Sequence, residues 1–191
     1  FLDELPDNRM EIKNAEELNY ILVNAYPSVH PAAVFEWYSD NSTECYNTSW
    51  TSERFQEQAY RWQEITESSE SETPKKVWDA YYSSIENANQ VIKFIEESDD
   101  PSQFNAQYGE ALIVRAYAMF TLSTMFCQAY DPATADTENS GMPYLTKPQE
   151  YVGEVYQRGT LAELYAKVES DIQRGLPLIE NNYAKPKYHF T

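Results

Sequence analysis

Apolar positions recur at three- and four-residue steps through most of the chain, the spacing of helices that bury one face. Leu18, Ile21, Leu22 and Ala25 form the first stripe and predict a helix from residue 14 to residue 25 or 26. Asn14 is its candidate N-cap, Glu16 and Glu17 suit the positive end of the helix dipole, and Pro27 ends it. A second helix is predicted over residues 52–67, with Phe55, Ala59 and Trp62 on one side. The polar run 68–72 reads as a solvated turn, after which Thr73 and Pro74 restart helix as cap and first residue. Two long helices follow. Residues 74–97 repeat Val77, Trp78, Tyr81, Ile85, Ala88, Ile92 and Ile95, and residues 101–130 put Tyr108, Leu112, Arg115, Met119, Leu122 and Phe126 on a broad face. The break between them is too short for any arrangement but an antiparallel hairpin. A last helix is predicted from the cap Thr160 to about residue 181, with Pro177 kinking or fraying its final turn.

Two stretches lack a helical period. Residues 27–51 hold Phe35, Trp37, Tyr38, Tyr46 and Trp50 among short polar side chains and are expected to form a long connection. Residues 131–159, with Pro132, Gly141-Met142-Pro143, Pro148 and Gly153, form the other. The expected fold is therefore all-α, tetratricopeptide-like helical hairpins joined by long irregular loops, as a single domain over residues 1–191. Ala111 and Ala116 let neighbouring helices approach closely, as such stacked pairs require. The helix from Thr160 reads as the first half of another pair, so the natural chain is expected to continue well past Thr191.

Composition narrows the possible functions. Only 5 glycines serve 191 residues, a poor supply for a fold built on tight β-turns. Acidic residues outnumber basic ones by 31 to 14, and the net charge of -17 repels nucleic acid and anionic lipid headgroups but is indifferent to a neutral sugar. Tyr is the favoured aromatic, 16 against 8 Phe and 4 Trp, and its ring with a hydroxyl suits wet, half-buried surfaces. Cys45 and Cys127 could pair or remain thiols, with small, partly buried thiols the simpler reading. Neither they nor His30 and His189 have partners at metal-ligand spacing, so no metal and no cofactor are expected. No Ser/His/Asp set, phosphate loop or carboxylate pair in an apolar setting points to catalysis.

Several segments resemble one family in the right order. Phe1-Leu2-Asp3-Glu4-Leu5-Pro6 is similar to the segment after the lipid-bearing cysteine of SusD/RagB proteins, and Asn14-Ala15-Glu16-Glu17-Leu18 with Asn24-Ala25-Tyr26 to their first helix. Trp78-Asp79-Ala80-Tyr81-Tyr82, running on to Asn87-Ala88-Asn89-Gln90-Val91-Ile92, resembles the family's next helix, and Glu110-Ala111-Leu112-Ile113-Val114-Arg115-Ala116-Tyr117 the one after it. Gly141-Met142-Pro143 and Arg158-Gly159-Thr160, with Asp171 downstream, resemble its following loop and helix. Cys127 departs from the Gly usual there. The resemblance implies the N-terminal part of an outer-membrane, cell-surface lipoprotein, held to the membrane only by an N-terminal lipid anchor. Such a protein binds oligosaccharide or polysaccharide and hands it to a SusC-like TonB-dependent transporter. A tetratricopeptide-like module that binds a peptide in its groove is the alternative, though the long helices are acidic or apolar where carboxylate-binding grooves are basic.

The ligand-contact candidates are Trp37, Tyr38, Asp40, Asn41, Tyr46, Asn47 and Trp50, flat rings for sugar faces beside groups for hydroxyls. For any one of them, covering the helical core or facing the transporter is an equally good use. Arg115, on an apolar helix face, must satisfy five donors. It is either a ligand-binding Arg or, the better supported reading, half of a buried ion pair with a nearby Glu or with Asp171. Asn87 and Asn89 read likewise as polar links within the repeat core, and Trp78 as a structural residue.

Overall fold

The computed structural model describes residues 15–43, 54–66, 73–151, 153–180 and 189–190, and among these it contains helices and no strand. Six α-helices follow in order: α1 (Ala15–Asn24), α2 (Ala32–Trp37), α3 (Arg54–Tyr60), α4 (Pro74–Glu96), α5 (Asn105–Phe126) and α6 (Leu161–Gly175). Short 3-10 turns at Pro101–Phe104 and Leu176–Leu178 precede α5 and follow α6.

The caps set where the long helices begin. The Thr73 hydroxyl accepts from the Lys76 N–H at 3.4 Å ahead of Pro74, and Asp100 accepts from Ser102 N–H at 3.2 Å ahead of α5. Thr160 opens α6 with a full capping box: its hydroxyl takes the Glu163 N–H at 3.1 Å, and the Glu163 carboxylate takes the Thr160 N–H at 3.1 Å. Pro177 lies in the closing 3-10 turn, where α6 has already ended.

α4 and α5 are antiparallel neighbours. Trp78 near the start of α4 meets Phe126 at the end of α5, while Phe94 near the end of α4 meets Phe104 just before α5. α5 is central: α1 and α4 pack on it through Leu18, Leu22, Val91, Ile92, Ala111 and Leu112, and α4 and α6 through Val77, Tyr81, Met119, Leu122, Leu164 and Val168. That position explains why α5 is apolar nearly all round. α6 also runs antiparallel to α5 and crosses it at bare backbone. A Cβ on Gly109 would lie 2.8 Å from the Gly175 carbonyl oxygen, and one on Gly175 would lie 2.7 Å from that of Gly109.

Two expectations are corrected. Residues 27–51 are not helix-free, because Ala32–Trp37 forms one and a half turns behind Pro31 with only Val34 buried, too little to leave a period in the sequence. The helix expected over 52–67 ends at Tyr60, and Trp62, placed by its spacing on the apolar side, instead turns outward. Among the described residues there are six α-helices, two of them short, where five are expected.

Candidate functional site

The tip of the molecule formed by α2 and α3 gathers aromatic rings. Trp37 packs edge-on against the buried Phe55 of α3, ring centres 5.1 Å apart, and is half-buried. Tyr38 meets Trp62 edge-on at 5.4 Å. Burial pushes the Tyr38 hydroxyl above its ordinary pKa, so it stays a neutral donor and acceptor. Trp62 is 75% exposed and Phe35 41% exposed, so this tip shows ring faces to solvent.

Trp62 stands outward because the chain leaves α3 in the left-handed region, with φ 54 at Trp62, a conformation that glycine usually supplies. For a bulky residue it costs roughly 1–2 kcal/mol. The turn is held from both sides. Trp62 N–H donates to Ala59 O at 3.0 Å and Gln63 N–H to Gln58 O at 2.8 Å. The Gln58 amide also exchanges hydrogen bonds with Thr66, 3.0 Å to its hydroxyl and 3.1 Å from its N–H.

Polar groups flank the rings. Asp40 and Asn41 are exposed. The Asn41 amide donates to the Glu36 carboxylate at 3.1 Å, and its N–H donates to the Ser39 hydroxyl at 3.2 Å. Ser39 and Ser42 both donate to the Glu36 carbonyl, at 2.8 and 2.7 Å, so residues 38–42 fold back on the end of α2. Of the sequence candidates, Trp37, Tyr38, Asp40 and Asn41 come together here, whereas Tyr46, Asn47, Trp50 and Cys45 lie outside the described residues. Trp62 belongs to the same cluster, and its spacing from Phe55 and Ala59 pointed the other way.

Arg115 and Asp171 lie elsewhere, between α5 and α6. Arg115 is 3% exposed; its Nε and Nη2 donate to the Asp171 carboxylate at 2.6 and 2.8 Å, and its Nη1 donates to the Asn89 side-chain oxygen at 2.8 Å. Burial opposes its charge, but the Asp171 carboxylate outweighs that and holds the guanidinium above its ordinary pKa. Tyr144 donates to the same carboxylate, and its ring lies 5.8 Å from both the Arg115 guanidinium and the Lys167 ammonium. The Asn89 amide spends its donors on the Leu145 and Lys147 carbonyls, at 3.0 and 3.3 Å. The network has no route for a ligand and joins α4, α5, α6 and the 144–147 segment. Trp78 sits at the base of the hairpin against Phe126 and Tyr82. Cys127 is a free, half-buried thiol whose pKa burial raises.

Two clefts accompany these clusters. A groove of about 690 Å³ runs between α5 and α6 past Ile113, Tyr117, Phe120, Tyr165 and Ile172, and among the described residues none that line it is Lys or Arg. A smaller cleft of about 370 Å³ lies between α4 and the 143–156 segment. Among the described residues no group of three or more His, Cys, Asp or Glu is placed to hold a metal ion, and no helix is long and apolar enough to cross a membrane.

The family model for SusD-like proteins, described as starch-binding and associating with the outer membrane, matches residues 1–191. No curated protein matches the chain.

Proposed function

The chain belongs to the SusD-like family, and from that membership we propose that it is a non-enzymatic, lipid-anchored glycan-binding protein of the cell surface that delivers oligosaccharide to a SusC-like TonB-dependent transporter. The ligand contact lies at the aromatic tip where Trp37, Tyr38, Asp40 and Asn41 gather, with Trp62 added to it. One observation carries the assignment: Trp62 is held in solvent by a strained backbone, beside Tyr38 and within the same polar tip as Asp40 and Asn41. Large apolar rings left in water invite aggregation unless something uses them. The apolar C–H faces of a pyranose stack on such rings while its hydroxyls pair with short polar side chains. The net charge of -17 also favours a neutral ligand over an anionic one. The peptide-binding alternative draws no support from the described lining of the α5–α6 groove, where no Lys or Arg stands ready for a peptide carboxylate.

The test uses the complete protein. Titration calorimetry with maltohexaose, starch being the ligand in the family's description, is run on the wild type and on a variant carrying Tyr38→Ala and Trp62→Ala. Affinity is expected to fall roughly tenfold or more, about 1.4 kcal/mol, with no new reducing ends formed by either protein. Unchanged affinity in a folded variant would move the contact away from this tip. Loss of the transporter complex at unchanged sugar affinity would make the tip a docking surface.

A further inference from the structure

We propose that the cleft between α4 and the 143–156 segment is a second saccharide-contact site, taking one or two rings of a neutral oligosaccharide; this rests on the glycan-binding reading above. Trp78, Tyr82 and Glu86 stand at four-residue steps and so form one ridge of α4, the inner wall of the cleft. Leu145, Gln149 and Tyr156 face them across it. Its volume of about 370 Å³ falls at the small end of ligand pockets, which run from about 300 to 1,000 Å³.

The walls are fixed before any ligand arrives. Trp78 is braced by Tyr82, ring centres 4.7 Å apart, and by Phe126 at 5.0 Å. The outer wall is pinned at a set distance from α4 by the Tyr82 hydroxyl, which donates to Pro143 O at 2.9 Å, and by the Asn89 amide on Leu145 and Lys147. These ties hold the segment against the helix, and Glu86 is one of the residues that line the cleft they leave. A site of this kind loses little ordering entropy on binding.

The polar groups are of the type a polyol needs. Glu86 accepts from the Gln149 N–H at 3.0 Å on one oxygen and from the Gln90 amide at 3.3 Å on the other. A carboxylate offers about four lone-pair positions, so each oxygen retains one for a sugar hydroxyl. Ser83 is exposed at the edge, and the Tyr156 hydroxyl is turned to Glu154 at 2.7 Å, which leaves its ring to serve as the apolar surface. With Glu86 in its wall and no Lys or Arg among its described lining residues, the cleft disfavours anions. The α5–α6 groove is larger and its lining is more apolar.

The test follows the indole N–H signals of Trp62 and Trp78 in the complete protein by NMR during titration with maltotriose, cellotriose and mannotriose. With at least one of these sugars both signals are expected to shift, and the Trp78 shift is expected to persist when Tyr38 and Trp62 are both changed to Ala. Glu86→Gln or Tyr156→Ala should weaken the Trp78 response about tenfold and leave the Trp62 response in place, while Tyr156→Phe should behave as wild type and exclude a folding defect. A Trp62 shift with Trp78 unmoved overturns the second site and leaves the glycan-binding reading standing. If neither signal moves with any of the three sugars, both readings fall.

Discussion

A buried guanidinium has one protonation state and five donors, so its surroundings must be built for it. In this protein Asp171 and Asn89 do that work for Arg115, with Tyr144 satisfying the remaining side of the carboxylate. Changing Arg115 to Met strands the Asp171 charge between α5 and α6, and urea denaturation is expected to show a loss of about 3–5 kcal/mol. Converting Asp171 to Leu in the same background should recover part of it, because the carboxylate left without its partner is the costly element. The need for such pairing was legible in the sequence, since Arg115 falls among Ala, Val, Leu and Tyr on a helix long enough to be buried. Trp62 was not legible in the same way. Its spacing from Phe55 and Ala59 fits a continuing helix, and neither Gly nor Asn marks the left-handed turn that throws it outward.

Among the elements, the long helices were readable because their stripes run through 23 residues in α4 and 22 in α5, and the caps Thr73 and Thr160 mark the starts of α4 and α6. α2 could not be read, since six residues give less than two turns. Nor could the crossing of α5 and α6, because a Gly in a helical pattern looks like a propensity defect. Ala at Gly109 or Gly175 gains about 1 kcal/mol of helix propensity, yet its Cβ would meet a carbonyl oxygen of the other helix at 2.8 or 2.7 Å. Backbone cannot swing aside as a side chain can, and overpacking costs about 1–3 kcal/mol. Gly109→Ala and Gly175→Ala are therefore expected to lower the thermal midpoint, against the sign that propensity alone gives, and calorimetry of the two variants would decide it.

At the scale of the whole molecule, buried tyrosines set the alkaline limit. Burial is the first cause that raises the pKa of Tyr81, Tyr82 and Tyr144, with Tyr117 adding to it for Tyr81, Cys127 for Tyr82 and Asp171 for Tyr144. The native state thus keeps phenolic protons that the unfolded chain sheds above its ordinary value of 10.0. Their stabilisation is present in full below pH 10.0 and is lost as pH climbs from there towards the raised native values. Circular dichroism in urea should show that decline, and it should be shallower in Tyr82→Phe. The polar ties described above also bear on chain entropy. Arg115 and Asp171 are 56 residues apart in sequence, as are Asn89 and Leu145, and Tyr82 and Pro143 are 61 apart. Closing a free loop of that size is costly, although each doubling of length adds only about 0.6 kcal/mol. The loops here are nested, however. Once Tyr82 and Asn89 hold the 143–147 segment, and Gly141 is bonded to Gly159 at 3.2 Å, Asp171 is already carried by α6 close to its place. The ion pair then closes only the stretch from Gly159 to Asp171, most of which is already α6, so a contact that looks long-range in sequence is, in the order the chain can make it, nearly local.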